Sequence, residues 1–260
     1  MKKQWNLKPK ANEQLVAELQ ESLGVAKIVA ELLVQRGITT FETAKTFFRP
    51  DLSHLHDPFL MKDMDSAVAR LSTAIQQGEN ILVYGDYDVD GTTAVSLMYS
   101  FIKSIHDKVE YYIPDRYTEG YGISFHGVDY AASNQFSLII ALDCGIKAID
   151  KVGYAREKGV DFIICDHHRP GNSVPNAVAV LDPKQSDCLY PYKELSGCGV
   201  GFKLIQAYCQ KSKIPFEKII PYLDLLVVSI AADIVPITGE NRVLAYYGLQ
   251  QLNTNPRIGL

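Results

Sequence analysis

From residue 79 onward the chain repeats one pattern: a short, continuously apolar, β-rich run, then a polar cluster, then a stretch of helical spacing. The runs are ILVY (81–84), VEYYI (109–113), LIIAL (138–142), FIIC (162–165) and AVAVL (177–181). Helical segments are expected at 92–106, 125–133 and 146–158, with only a short loop after Arg169. Strands that are apolar on both faces and alternate with helices call for a sheet covered on both sides. The predicted fold class is therefore α/β, a mostly parallel sheet with helices on both faces. Three more helices are expected near 200–210, 221–232 and 241–252.

Residues 1–78 read differently and are assigned to a small helical N-terminal region, with the α/β domain at 79–260. AKIVAELLVQR (26–36) has helical apolar spacing and stops at Gly37. Thr40 can cap a helix over 41–48 that Pro50 ends. Asp63 or Asp65 can open a further helix, SAVARLSTAIQQ (66–77), closed by Gly78.

Each apolar run is followed at once by polar residues: VYGDYDVDG, YIPDR, ALDCG, ICDHH and VLDPK. In an open parallel sheet the carboxyl ends of the strands lie along one edge, where ligands bind. Asp86, Asp88, Asp90, Asp115, Asp143, Asp166, His167, His168 and Asp182 are thereby delivered to one rim. A merely solvated surface would scatter charge over the helices as well.

Alternation of Asp86, Asp88 and Asp90 puts all three on one face if the backbone stays extended, and a cation is then needed to offset their repulsion. The D-x-D-x-D-G string resembles an EF-hand loop, but the twelfth position is Leu97 rather than a bidentate Glu. Thr92 or Thr93 can cap the helix that follows. Asp143 is either a helix cap or a metal-bridging carboxylate; its company favours the second. His167 and His168 are adjacent and so point differently: one suits a metal, the other a substrate, with Asp166 fixing a tautomer. Asp233, inside LLVVSIAADIVPI, needs a partner if buried and is either a salt-bridge or cap residue or a further ligand. Arg116 either clamps a phosphate or pairs with an acid. SGCGVGFK (196–203) lacks G-x-G-x-x-G spacing, so it is a close-approach loop or a tight turn rather than a dinucleotide site. No G-x-S-x-G elbow is present, and Ser229 lies mid-segment.

An Asp/His donor set suits Mn²⁺ or Mg²⁺, and this many carboxylates suits two ions about 3.5–4 Å apart. The implied chemistry is hydrolysis of a phosphate ester or anhydride. Composition narrows the partners. Thirty acidic against 26 basic residues leave a net charge of −4, so nucleic acid must be gripped locally. Five cysteines without a C-x-x-C pair fit a reducing cytoplasm. The longest apolar stretch, 225–235, is too short to span a bilayer, and MKKQWNLKPKANEQ is not followed by the apolar run of a secretory signal.

GDYDVDG, LDCG, DHH and AADIVP, in this order, resemble the four motifs of the DHH phosphoesterase superfamily. DPFLMKDMDSAVARLSTAI, IPDRYTEGYGIS, DHHRPG, LDPK, SGCGVGFKL and NTNPRIGL resemble its bacterial single-strand-specific 5′→3′ DNA exonucleases. The resemblance implies that Asp88, Asp90, Asp143, His167 and Asp233 are metal ligands, with Asp143 bridging and Asp86 in or beside the first metal's shell. Tyr84 stands where some members carry a ligating His. His168 would contact the scissile phosphate and Arg116 the DNA backbone, with Ser196 and Gly197 as further substrate-binding candidates. It further implies release of 5′-mononucleotides in DNA repair and recombination, single-stranded DNA as substrate, and single-strand-binding protein and a helicase as partners. Such enzymes continue into a DHHA1 lobe and an OB-type domain, which would lie beyond residue 260. The DHH triplet is also shared with pyrophosphatases and small-nucleotide phosphodiesterases, and a non-catalytic partner-binding lobe is a third reading.

Overall fold

The computed structural model describes residues 4–260; the first three residues of the charged start lie outside them. Two compact units divide at Asp51/Leu52. The smaller unit holds one helix more than the pattern predicts: α1 (Glu13–Leu23), α2 (Lys27–Val34) and α3 (Phe41–Phe48). Asn12 caps α1 with its side chain, and Thr40 caps α3 through a reciprocal box with Thr43. Val16, Leu19, Ala30, Leu33 and Ala44 form its own buried cluster.

The larger unit begins before residue 79. Its first long helix, α4 (Met64–Gln77), buries Met64, Ala67, Val68, Leu71 and Ala74 in the same core as the sheet. The division expected after residue 78 thus falls earlier in the structure. An amphipathic stripe shows that a helix has an apolar face, not which partner covers it.

Then follow β1 (Asn80–Gly85), α5 (Val89–Lys103), β2 (Val109–Tyr112), α6 (Phe125–Ser133), β3 (Phe136–Leu142), α7 (Ile149–Glu157), β4 (Asp161–Cys165) and β5 (Ala179–Leu181). Helices α8 (Gly197–Lys211), α9 (Leu223–Ala232) and α10 (Gly239–Thr254) complete the chain. All strand pairs are parallel, in the order β2-β1-β3-β4-β5.

Strand alternation assigns the two cores. Ile81, Val83, Leu138, Ile140, Leu142 and Ile163 join the core with α4, α5, α8 and α9. Leu82, Tyr84, Ile139, Ala141, Phe162 and Ile164 face the other way, in the core with α6 and α7. The departure is β2, an edge strand whose Glu110 and Tyr111 are exposed rather than apolar on both faces. Strand order reverses direction between β1 and β3, and the crevice beyond the carboxyl ends of that pair is where such sheets bind ligands.

Candidate metal centre

Four segments converge at this crevice. Extended alternation of Asp86, Asp88 and Asp90 does not hold, because β1 ends at Gly85 and α5 begins at Val89. Asp86 closes the strand, fully buried; its Oδ1 accepts from Gly122 N at 3.3 Å, while Oδ2 has no partner. Asp88, not Thr92 or Thr93, caps α5, accepting from Gly91 N at 2.9 Å, and is otherwise exposed. Asp90 lies in the first helical turn, buried, pointing across at α8.

That contact is extensive. Asp90 Oδ2 accepts from Gly197 N at 2.7 Å; Oδ1 accepts from Cys198 N at 2.9 Å and Ser229 Oγ at 2.7 Å. The carboxylate sits on the positive end of α8, where free N–H groups favour an anion. SGCGVGFK is therefore a helix start built for close approach. A Cβ on Gly197 would lie 2.5 Å from Asp143 Cβ and 2.5 Å from its Oδ1. Ser196 caps α8 and bonds Ser229 Oγ at 2.6 Å. Both Ser196 and Gly197 are buried, so neither offers a side-chain surface to a substrate.

Asp143 follows β3 in the left-handed region, with φ 58°, and its N–H donates to Cys165 O at 2.9 Å. It caps no helix; α7 starts after Ala148, and Ile146 N donates instead to Asp166 Oδ2 at 2.9 Å. Asp166, buried after β4, gathers four donors: Ile146 N, His167 N, His168 N and His168 Nδ1. Burial alone would raise its carboxyl, but the His168 imidazole and these N–H groups outweigh it and hold it below the usual range. In return the hydrogen bond from His168 Nδ1, at 2.8 Å, raises the His168 pKa. Asp166 thus fixes His168, as the sequence suggested for one of the two.

His167 is fixed by a group that has no sequence signature. Its Nδ1 faces Leu195 O at 3.0 Å, and a carbonyl only accepts, so Nδ1 carries a proton and Nε2 is the nitrogen turned towards the acids. That Nε2 lies 3.2 Å from Asp143 Oδ1, 3.7 Å from Asp90 Oδ2 and 3.7 Å from Asp233 Oδ2. Asp233 is the exposed cap at the end of α9, not the buried residue its apolar surroundings suggested, yet its carboxylate faces the cluster. His167 Nε2 and Asp143 Oδ1 are both buried and neither makes a hydrogen bond. Burial first, then the Asp90 and Asp88 charges, drive the Asp143 carboxyl far above its ordinary value. Unpaired polar atoms and repelling acids around one point are the state that a bound divalent cation reverses. Asp90, His167 and Asp233 form one group able to hold an ion; Asp143, His167 and His168 form another. The donor set of carboxylates and one imidazole face fits Mn²⁺ or Mg²⁺.

The other rim residues divide. Asp115 caps a turn of its own loop, accepting from Tyr117 N and Thr118 N. Asp182 is buried beyond β5, with Oδ1 taken by Lys184 N. Arg116 pairs with no acid among the described residues; its guanidinium carbon stands 5.3 Å from the centre of the half-buried Tyr87 ring. Tyr121, to which the motif reading gave no role, brings its hydroxyl to 3.4 Å from His168 Nε2. Ser229, set aside as a nucleophile, is a hydrogen-bond donor to Asp90. Tyr84 turns away from the centre and bonds the loop carrying Tyr121.

Residues 80–230 match the model of the DHH family, N-terminal domain. The chain is 41% identical over 259 residues to the single-stranded-DNA-specific exonuclease RecJ of Bacillus subtilis (strain 168), covering 100% of this chain and 32% of that protein. A crystal structure of RecJ from Thermus thermophilus in complex with Mn²⁺ superposes with a TM-score of 0.76 and 28% identity, over 92% of this chain and 33% of that one. Another, of exonuclease RecJ bound to manganese, gives 0.69 and 33% identity over 77% of this chain and 49% of that one. The chain spans about a third of the length of the curated relatives it matches. The matched segment contains GDYDVDG, LDCG and DHH, and this chain belongs to the DHH family.

Proposed function

We propose that this protein is a divalent-metal-dependent phosphodiesterase that degrades single-stranded DNA from the 5′ end, releasing 5′-mononucleotides. The single observation that carries the metal dependence is the pair of buried polar atoms without a hydrogen bond, Asp143 Oδ1 and His167 Nε2, 3.2 Å apart. The DNA substrate is carried over from the RecJ relatives. Asp143, His167, Asp90 and Asp233 hold the ions, with Asp86 and Asp88 beside them, and Mn²⁺ or Mg²⁺ are the ions of choice.

Bound divalent cations supply an acidified water and neutralise charge on phosphoryl oxygens. The chain's own residues do the rest. Leu195 O and Asp90's three donors hold His167 and Asp90 in place before substrate arrives. Asp166 orients His168 so that Nε2 faces the rim, where it donates to a phosphate oxygen. Arg116, without an acidic partner among the described residues, meets the strand's backbone. The five cysteines are all free and buried, which suits the cytoplasm, and among the described residues no helix is long and apolar enough to cross a membrane. This reading brings with it DNA repair and recombination, with single-strand-binding protein and a helicase as partners.

The test incubates the protein with a 5′-accessible oligonucleotide and Mn²⁺. Mononucleotide release should fall by about 10²-fold or more in Asp143→Ala. Release of phosphate from pyrophosphate without action on DNA would select the small-substrate reading instead, and full activity in Asp143→Ala would refute the assigned centre.

A further inference from the structure

The segment 113–124, between β2 and α6, is irregular, yet it forms a wall of the metal centre. It is pinned from two sides. From beneath, the fully buried Tyr84 of β1 donates its hydroxyl to Gly122 O at 3.0 Å and accepts from Ser124 N at 3.1 Å. The Tyr84 ring is itself fixed, stacked on Tyr112 with centroids 5.3 Å apart. It also lies so near α6 that a Cβ on Gly127 would meet Tyr84 Cε2 at 2.6 Å. From the outer side, Glu119 gathers three donors: Asp115 N at 2.9 Å, Tyr112 Oη at 2.9 Å, and Ser124 Oγ. Between these anchors Gly122 N reaches Asp86, and Tyr121 is set beside His168.

We propose that Tyr84 and Glu119 are positioning residues that latch segment 113–124 against the metal centre, so that Tyr121 stays beside His168 and Arg116 over Tyr87. Tyr84 acts through the loop and ligates no metal. Its hydroxyl has both a donor and an acceptor partner in Ser124 and Gly122, and it points away from the ligand cluster.

The sequence supplies a direct reporter. Arg116 is the sole Lys or Arg between Lys108 and Lys147, so trypsin cutting there reads opening of this loop and nothing else nearby. When opening is fast, cleavage follows the population of the open form. Removing the Tyr84 hydroxyl leaves Gly122 O and Ser124 N buried without partners, and Tyr84→Phe should speed nicking at Arg116 about tenfold. Glu119→Gln should do the same, because its amide cannot accept from all three donors. Cleavage elsewhere should keep its wild-type rate, and Mn²⁺ affinity by calorimetry should stay within about twofold. The KM for an oligonucleotide should rise more than kcat falls. That kinetic arm rests on the nuclease reading; the proteolysis and calorimetry arms do not, so the two readings can fail separately. Unchanged nicking at Arg116 in both variants overturns the latch. So does faster cleavage at all sites in step with a lower Tm. Loss of Mn²⁺ affinity in Tyr84→Phe with the loop still protected would make Tyr84 a ligand instead. If Tyr84→Phe does not fold, Glu119→Gln carries the same measurement from the outer side.

Discussion

Single residues at this centre are constrained by what touches them, and Gly197 shows how tightly. The first turn of α8 approaches Asp143 so closely that only hydrogen fits at that Cα. Gly197→Ala drives a methyl into the Asp143 side chain, and overpacking of this kind costs about 1–3 kcal/mol. The expected outcome is a lower Tm together with weaker Mn²⁺ binding, read by thermal unfolding and calorimetry on the same sample. A lower Tm with unchanged Mn²⁺ affinity would show that Asp143 can move without consequence. The sequence located Asp143, His167 and Asp233 because strand ends and an acid within an apolar run are local signals. It could not reveal Leu195 O as the group that sets the His167 tautomer, since every residue has a carbonyl. The role of Ser229 as a donor to Asp90 was hidden for a similar reason: the two lie 139 positions apart in the chain.

At the level of elements, the four buried strands β1, β3, β4 and β5 were legible because two-sided burial leaves an unbroken apolar run, and β2 because an edge strand keeps its β-rich residues while exposing Glu110 and Tyr111. The passage from β1 to α5 was not. GDYDVDG alternates like a strand, but Asp88 captures Gly91 N and turns the chain into a helix, so Asp86 and Asp90 reach the centre from different elements. At the opposite, amino end of the sheet, Arg70 of α4 ties the residue preceding β1 to the first residue of β4. Its Nη2 meets Glu79 at 2.6 Å and its Nε meets Asp161 at 2.6 Å. Burial opposes ionisation of Glu79, but Arg70 and Ser137 outweigh it and hold the carboxyl below its ordinary value. A depressed folded-state pKa stabilises the protein above the unfolded value of 4.5, and that contribution is lost as pH falls through the folded value. Arg70→Met should therefore cost about 2 kcal/mol in urea unfolding at pH 7. The gap between variant and wild type should narrow once pH drops below the range in which Glu79 ionises. A gap of constant size across that range would mean that Arg70 contributes by packing alone.

For the whole molecule, the layered α/β architecture followed from the order of apolar runs, whereas the division at Asp51/Leu52 did not, because α4 advertises an apolar face without naming the sheet as its partner. The same architecture gathers Asp86, Asp90, Asp143, Asp166 and His167 at one end of the sheet, all buried. Folding buries Asp86 and Asp143 with their carboxyls raised, so without a cation these two work against the stability of the domain that holds them. Asp143, driven upward by burial and by its acidic neighbours, is the most strained member. Two opposite effects should then appear in one substitution. In chelator, Asp143→Asn should unfold at the same Tm as the wild type or higher, because an amide has no ionised form that folding must suppress. In Mn²⁺ the order should reverse, since a ligand binding only the folded state adds about 2.7 kcal/mol at a hundred times its Kd. Wild-type Tm should rise on titration with Mn²⁺, and the variant should show little of that rise. Scanning both proteins by calorimetry with and without the metal measures all four values. A variant less stable than wild type in chelator would mean that Asp143 is a structural residue whose carboxylate the fold needs for its own sake.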